Sequence, residues 1–160
     1  MDEFSFILEL IGTVAFASSG AMIAIEKKMD IFGVNVLGAT TAVGGGIMRD
    51  IILGLTPPGA FSHPVYVLVA ALTSTILFVI AYAKPTAFES RVKTDYYDKL
   101  MFWCDTAGLG IFTVVGIQAA VRAVGGENVF FFVFIGTLTG VGGGVLRDIM
   151  AGATPYILVT

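Results

Sequence analysis

The sequence predicts an all-α integral membrane protein built as an inverted repeat of three-helix units. Three observations predict this class. Of the 160 residues, 56% are hydrophobic and only 13% charged, at a mean hydropathy of +0.90, whereas about a quarter of the residues of a soluble domain are charged. The charges gather in short clusters, Met1 to Glu3, Glu26 to Asp30 and Lys84 to Asp98, separated by apolar stretches near the roughly 20 residues that cross a bilayer. Finally, GGGIMRDIILGLTP at Gly44 to Pro57 returns as GGGVLRDIMAGATP at Gly142 to Pro155. Counted from Gly38 and Gly136 at an offset of 98, 12 of 20 positions are identical, which hydrophobic periodicity alone would not produce.

Five spans follow in order. Phe4 to Ile25 is too long for a secretory apolar region and follows the acidic Asp2-Glu3, so it is expected to remain as a helix. Ile31 to Gly54 carries the first motif copy. Pro64 to Ala83 opens beside the lone His63, which reads as a helix-boundary residue rather than a ligand. Leu100 to Val121 holds the single cysteine, Cys104. One cysteine excludes an intramolecular disulfide or a cysteine metal cluster, and its neighbours Phe102 and Trp103 predict a buried, inert thiol. Val129 to Gly152 carries the second copy.

The loops after the first and third spans carry Lys27, Lys28, Lys84, Arg91, Lys93 and Lys99; outside the motif, the opposite side carries Arg122 and little else. The positive-inside rule therefore places the former in the cytoplasm and the N-terminus outside. Span 1 matches span 4 and span 2 matches span 5. Units three crossings apart enter the membrane in opposite directions, which makes the repeat inverted. The expected organisation is a first three-helix repeat over 1–84, a charged cytoplasmic linker over 85–98, and a second repeat over 99–160 that lacks its third helix. The net charge of -3 points to no partner.

At an offset of 96, Glu9, Gly12, Phe16, Gly20 and Ala24 fall on Asp105, Gly108, Phe112, Gly116 and Ala120. The small residues suit close helix packing. Glu9 and Asp105 are different, because a carboxylate at the edge of hydrocarbon is costly and faces water or a partner. They are candidates for a pore mouth or for structural pairing.

Within the motif, three consecutive glycines, Gly44 to Gly46 and Gly142 to Gly144, each cost about 1 kcal/mol of helix propensity against alanine. A kink or break is expected at mid-membrane, exposing backbone dipoles that must be buried in protein or line a wet cavity. The alternative is that the glycines only allow tight helix crossing. Arg49-Asp50 and Arg147-Asp148 follow the glycines. Neighbours on a helix point about 100 degrees apart, so each arginine is poorly placed to pair with its own aspartate; the partners open to it are the aspartate of the other copy, Arg49 with Asp148 and Arg147 with Asp50, or the exposed carbonyl end of a broken helix. These four charges are expected to line or gate a permeation route. Thr41 and Thr139 could add hydroxyls to it, or bond their own helix backbone.

Other chemistries lack a basis. The glycine run has no GK[ST] of a phosphate loop, its spacing is not a dinucleotide fingerprint, and no metal cluster or hydrolase set is present. Neither an enzyme, a cofactor nor a nucleic-acid partner is expected.

The doubled GGGxxRDxxxGxTP, one copy in each unit, resembles the prokaryotic members of the trimeric intracellular cation (TRIC) channel family and the related bacterial inner-membrane family known as glycine transporters. The resemblance covers nearly the whole chain. It implies a seven-helix protomer with inverted repeats, an external N-terminus, a homotrimer, and an ion path through each protomer past Gly44 to Gly46, Gly142 to Gly144, Arg49 and Arg147. The sequence departs from that pattern at Thr160, just after the second motif: five spans stand where seven are expected, so either the chain is a fragment or its fold is incomplete. Two transport activities are compatible, and a structural membrane subunit is a third, non-transport reading. A potassium- or sodium-permeable channel would use Asp50, Asp148, Glu9 and Asp105 to attract cations. A carrier for a small zwitterion such as glycine would hold the carboxylate at amide-bearing helix starts or at Arg49 and Arg147, and the ammonium at carbonyl ends. The other partner is membrane lipid.

Overall fold

The computed structural model describes residues 3–83 and 95–158. The described residues form helices α1 (Glu3–Glu26), α2 (Ile31–Ile52), the short α3 (Gly59–Ser62), α4 (Val65–Ala83), α5 (Asp95–Val124) and α6 (Val129–Met150), then a 3-10 turn at Tyr156–Leu158. All five predicted spans are helices long and apolar enough to cross a membrane. The charged linker falls mostly outside the described residues, but its last part is helical, since α5 already begins at Asp95.

Local chemistry sets the helix ends. The carboxylate of Asp30 caps α2 by accepting the N–H of Gly33 at 2.8 Å, and Asn128 caps α6 by accepting that of Phe131 at 3.1 Å. At the other end, each motif copy closes its helix identically. Gly54 and Gly152 take φ of 71° and 70°. The N–H of Leu55 donates to the carbonyl of Asp50 and that of Gly54 to Ile51, mirrored by Ala153 to Asp148 and Gly152 to Ile149. This is a Schellman closure, and it explains why a glycine stands four residues after each aspartate.

α1, α2 and α4 pack as one three-helix unit, while α5 packs on α6; α1 meets α5 and α2 meets α6 between the units. The contacts come in reciprocal pairs. Gly12 lies under the ring of Phe112 and Gly108 under that of Phe16, and the two rings sit 5.3 Å apart. Gly20 abuts Gly38 and Thr41, and Gly116 abuts Gly136 and Thr139. Where α2 crosses α6, Gly44 meets Leu146 and Gly142 meets Met48, so the later part of each helix faces the earlier part of the other. The equivalent helices are antiparallel, as an inverted repeat requires.

The core is made largely of small residues: Ala17, Ala21, Ala24 and Ala70 are fully buried around Phe16, Val34 and Leu37. Large apolar side chains point outwards, with Leu68 66% and Phe130 82% exposed. A water-exposed surface would not carry so much apolar area. Lipid suits it.

The expected glycine break does not occur. Both α2 and α6 run uninterrupted through their three glycines. A Cβ at Gly45 would overlap the carbonyl oxygen of Thr139, and one at Gly143 the carbonyl of Thr41. The propensity cost is met by helix-to-helix backbone contact that only glycine allows.

Candidate functional site

The two Arg-Asp pairs close in place rather than across the pseudo-twofold axis. Arg49 Nε donates to Asp50 Oδ1 at 2.8 Å, and Arg147 Nε to Asp148 Oδ1 at 2.8 Å. The 100-degree separation governs Cβ directions, but Nε lies three bonds beyond Cβ and the arm bends back. The aspartate is also held from its other side. Asp50 Oδ2 accepts the N–H of Gly59 at 2.8 Å, and Asp148 Oδ2 that of Tyr156 at 2.8 Å. After the positive-φ glycine, Thr56-Pro57 or Thr154-Pro155 carries the chain to this point. The RDxxxGxTP motif is thus a staple: arginine to aspartate, aspartate to the segment beyond the helix. Asp50 and Asp148 are 3% and 5% exposed, which leaves their carboxylates committed to these bonds.

Beyond the staples the halves diverge. Arg147 is buried, and its Nη1 donates to both oxygens of Asp105 at 2.5 and 2.7 Å and to the hydroxyl of Ser19. Of the two expected roles for Asp105, pairing is the one it fills. Glu9, its counterpart, instead lies in one cavity wall with Tyr66 and lines two cavities together with Arg49.

The smaller cavity, about 100 Å³, is walled by Thr13, Gly46, Arg49, Asp50 and Phe112 as well as Glu9. The larger, about 310 Å³, also has Ser5, Gln118 and Arg122 in its wall. Of the first glycine run, then, Gly46 faces open space while Gly44 and Gly45 meet α6. His63 stands at the end of α3, as a boundary residue should, and it borders the smaller cavity.

The threonine hydroxyls stay within their helices. Thr41 donates to the carbonyl of Leu37 at 2.6 Å and Thr139 to that of Ile135 at 2.7 Å. Neither lines the two cavities. Cys104 is half-buried rather than buried. Sequence reasoning missed Ser19, because a serine on a small-residue helix face reads as packing. It also missed Tyr97, whose hydroxyl donates to the carbonyl of Met22 at 2.6 Å and ties α5 to α1.

Comparison with known proteins adds the following. The family model described as "Glycine transporter" matches residues 6–82 and again 102–160, so the duplication is seen from outside the chain as well. The UPF0126 membrane protein of Deinococcus radiodurans is 39% identical over 94% of this chain and 65% of its own length. The UPF0126 inner membrane protein YadS of Escherichia coli is 37% identical over 96% of this chain and 69% of its own. The chain thus spans about two thirds of the length of these relatives. Among solved structures, the TRIC trimeric intracellular cation channel orthologue from Rhodobacter sphaeroides superposes with a TM-score of 0.85 at 32% identity, over 99% of this chain and 76% of that one. A prokaryotic TRIC channel in 0.5 M KCl gives a TM-score of 0.85 at 32% identity, over 99% and 75%.

Proposed function

Because this chain belongs to the glycine transporter family of membrane proteins, whose fold it shares with TRIC channels, we propose that it is the core of a monovalent cation channel conducting potassium or sodium through each protomer. The observation that carries this reading is that two cavities share Glu9 and Arg49 in their walls, beside the antiparallel crossing of α2 and α6. Ionisable side chains at this depth are expensive unless they face water or a partner. Glu9 supplies the carboxylate that attracts a cation, and Arg49 the charge that limits its passage. The reciprocal half is braced by Arg147, Asp105 and Asp148.

The relatives support the remaining assignments: assembly as a homotrimer, residence in a prokaryotic cytoplasmic membrane, and two pseudo-equivalent units, 1–84 and 99–160. The lysine distribution supports an external N-terminus. A second reading, a carrier for glycine or a similar zwitterion, is favoured by the presence of a carboxylate, Glu9, and a guanidinium, Arg49, in one wall.

The test is planar-bilayer recording of the full-length protein against a variant carrying Arg49→Ala and Arg147→Ala. Single-channel steps with altered conductance or open probability in the variant support the channel and the site. Unaltered conductance, selectivity and open probability would show the site to be misplaced. Saturable uptake with counterflow of labelled glycine, without single-channel steps, would establish the carrier instead.

A further inference from the structure

His63 borders the smaller cavity from outside the membrane spans. It stands at an exposed position at the end of α3, just before the span Val65–Ala83 begins. Backbone bonds fix it there: the N–H of Gly59 donates to Asp50 Oδ2 at 2.8 Å, and the carbonyl of Gly59 accepts the N–H of His63 at 2.8 Å. The histidine is thus one helical turn from the aspartate staple. Of the groups that share the cavity wall with it, Glu9 comes from α1, Arg49 and Asp50 from α2 and Tyr66 from α4, while α5 contributes the uncharged Phe112. Arg49 and Asp50 pair with each other and offset one another's charge. Glu9 therefore sets the sign of the wall while His63 is neutral, and a proton on His63 opposes it. Histidine is the side chain whose charge ordinarily changes between about pH 5 and 8. About 100 Å³, at roughly 30 Å³ per water, holds too few waters to screen such a change as bulk solvent does.

We propose that His63 is a proton-operated control on cation entry to the smaller cavity: neutral, it leaves the attraction of Glu9 intact, and protonated, it repels the cation. The consequence for flux rests on the channel reading above. The competition between proton and cation does not depend on conduction, and it is reciprocal: the cation weakens the proton's binding by the factor that the proton weakens the cation's. Because α1 begins and α2 ends at one membrane face, His63 lies on the face of the N-terminus, and acid acts from that side.

His63 is the single histidine of the chain, so its imidazole gives one assignable NMR signal. The experiment titrates that signal in the full chain, free of any histidine tag, in detergent micelles. Potassium chloride is compared with N-methylglucamine chloride at equal ionic strength, for the natural sequence and for Glu9→Gln, whose fold circular dichroism verifies. The expected result is proton binding about two- to fivefold weaker in potassium, the order of magnitude for unit charges one side-chain length apart in a high dielectric, with no such difference in Glu9→Gln. A midpoint that is the same in both salts, or a difference that survives Glu9→Gln, overturns the proposal. Planar-bilayer recording reads the consequence separately. Acidifying one face from about pH 7.5 to about 5.5 should lower potassium conductance about twofold, the opposite face should give no response, and His63→Gln should abolish the response. A response retained in His63→Gln also overturns the proposal, since another group then carries it. Potassium-sensitive proton binding without single-channel steps would sink the channel reading and leave the coupling at His63 standing.

Discussion

The carboxylate of Asp148 holds Arg147 with one oxygen and the backbone N–H of Tyr156 with the other, each at 2.8 Å. Asp50 does the same between Arg49 and Gly59. A charge pair that lines a pathway would keep a carboxylate oxygen free for a passing ion. Here the aspartates join the helix end to the chain that follows it, and the arginines are left to differ between the halves.

Removing the staple should therefore cost stability unequally. Asp148→Ala leaves Arg147 buried with its charge less compensated, and a loss of about 3–5 kcal/mol is expected. Asp50→Ala, beside a more accessible Arg49, should lose about 1–3 kcal/mol. Chemical unfolding in micelles measures both, and equal losses would contradict the asymmetry.

The glycines of one run should respond in opposite directions. Gly45→Ala places a Cβ on the carbonyl of Thr139 and forces α2 and α6 apart, whereas an added Cβ at Gly46 meets nothing nearer than Arg49 Nη2 at 3.9 Å. Thermal unfolding should show Gly45→Ala destabilised by several degrees and Gly46→Ala unchanged or raised by up to about 1 kcal/mol of helix propensity. A common response at both positions would restore the idea of a broken helix.

Ser19 and Asp105 should contribute to the same locus in different measure. Ser19→Ala removes one hydroxyl acceptor from Arg147 and is expected to cost about 1 kcal/mol. Asp105→Asn removes a charge partner and should cost about 3 kcal/mol. The double variant should lose less than the sum, since both act through Arg147 Nη1. Strict additivity in an unfolding cycle would show that they act apart.

Water access should follow the cavities. In a Cys104→Ser background, Glu9→Cys is expected to react with a charged thiol reagent at least about tenfold faster than Thr41→Cys, because only the exposed thiolate is reached. Equal rates would mean that the cavities are dry or that water runs along Thr41.

Much of the fold was legible because lipid imposes a coarse rule. Twenty apolar residues between charge clusters make a span, and Val65–Ala83 or Val129–Met150 leaves little else to choose. The duplication, with three crossings between copies, gave the antiparallel relation of α2 and α6. What composition could not carry was the outcome of a local contest. Three glycines favour a break if the partner helix is distant and a crossing if it is in contact, and the sequence does not contain the interhelical distance. Likewise Arg49 and Asp50 point apart by helical geometry, until the N–H of Gly59 anchors the aspartate from beyond the helix end. Ser19 and Tyr97 met their partners through tertiary contacts that no periodicity announces.

The seam between α2 and α6 has a genetic consequence. Most packing defects can be repaired by a second mutation that trims the neighbouring side chain. At Gly45 and Gly143 the neighbour is a main-chain carbonyl, of Thr139 and of Thr41, and no codon change alters a carbonyl oxygen. A selection for suppressors of Gly45→Ala should thus recover true revertants, or changes elsewhere that shift a whole helix, and nothing at the point of contact.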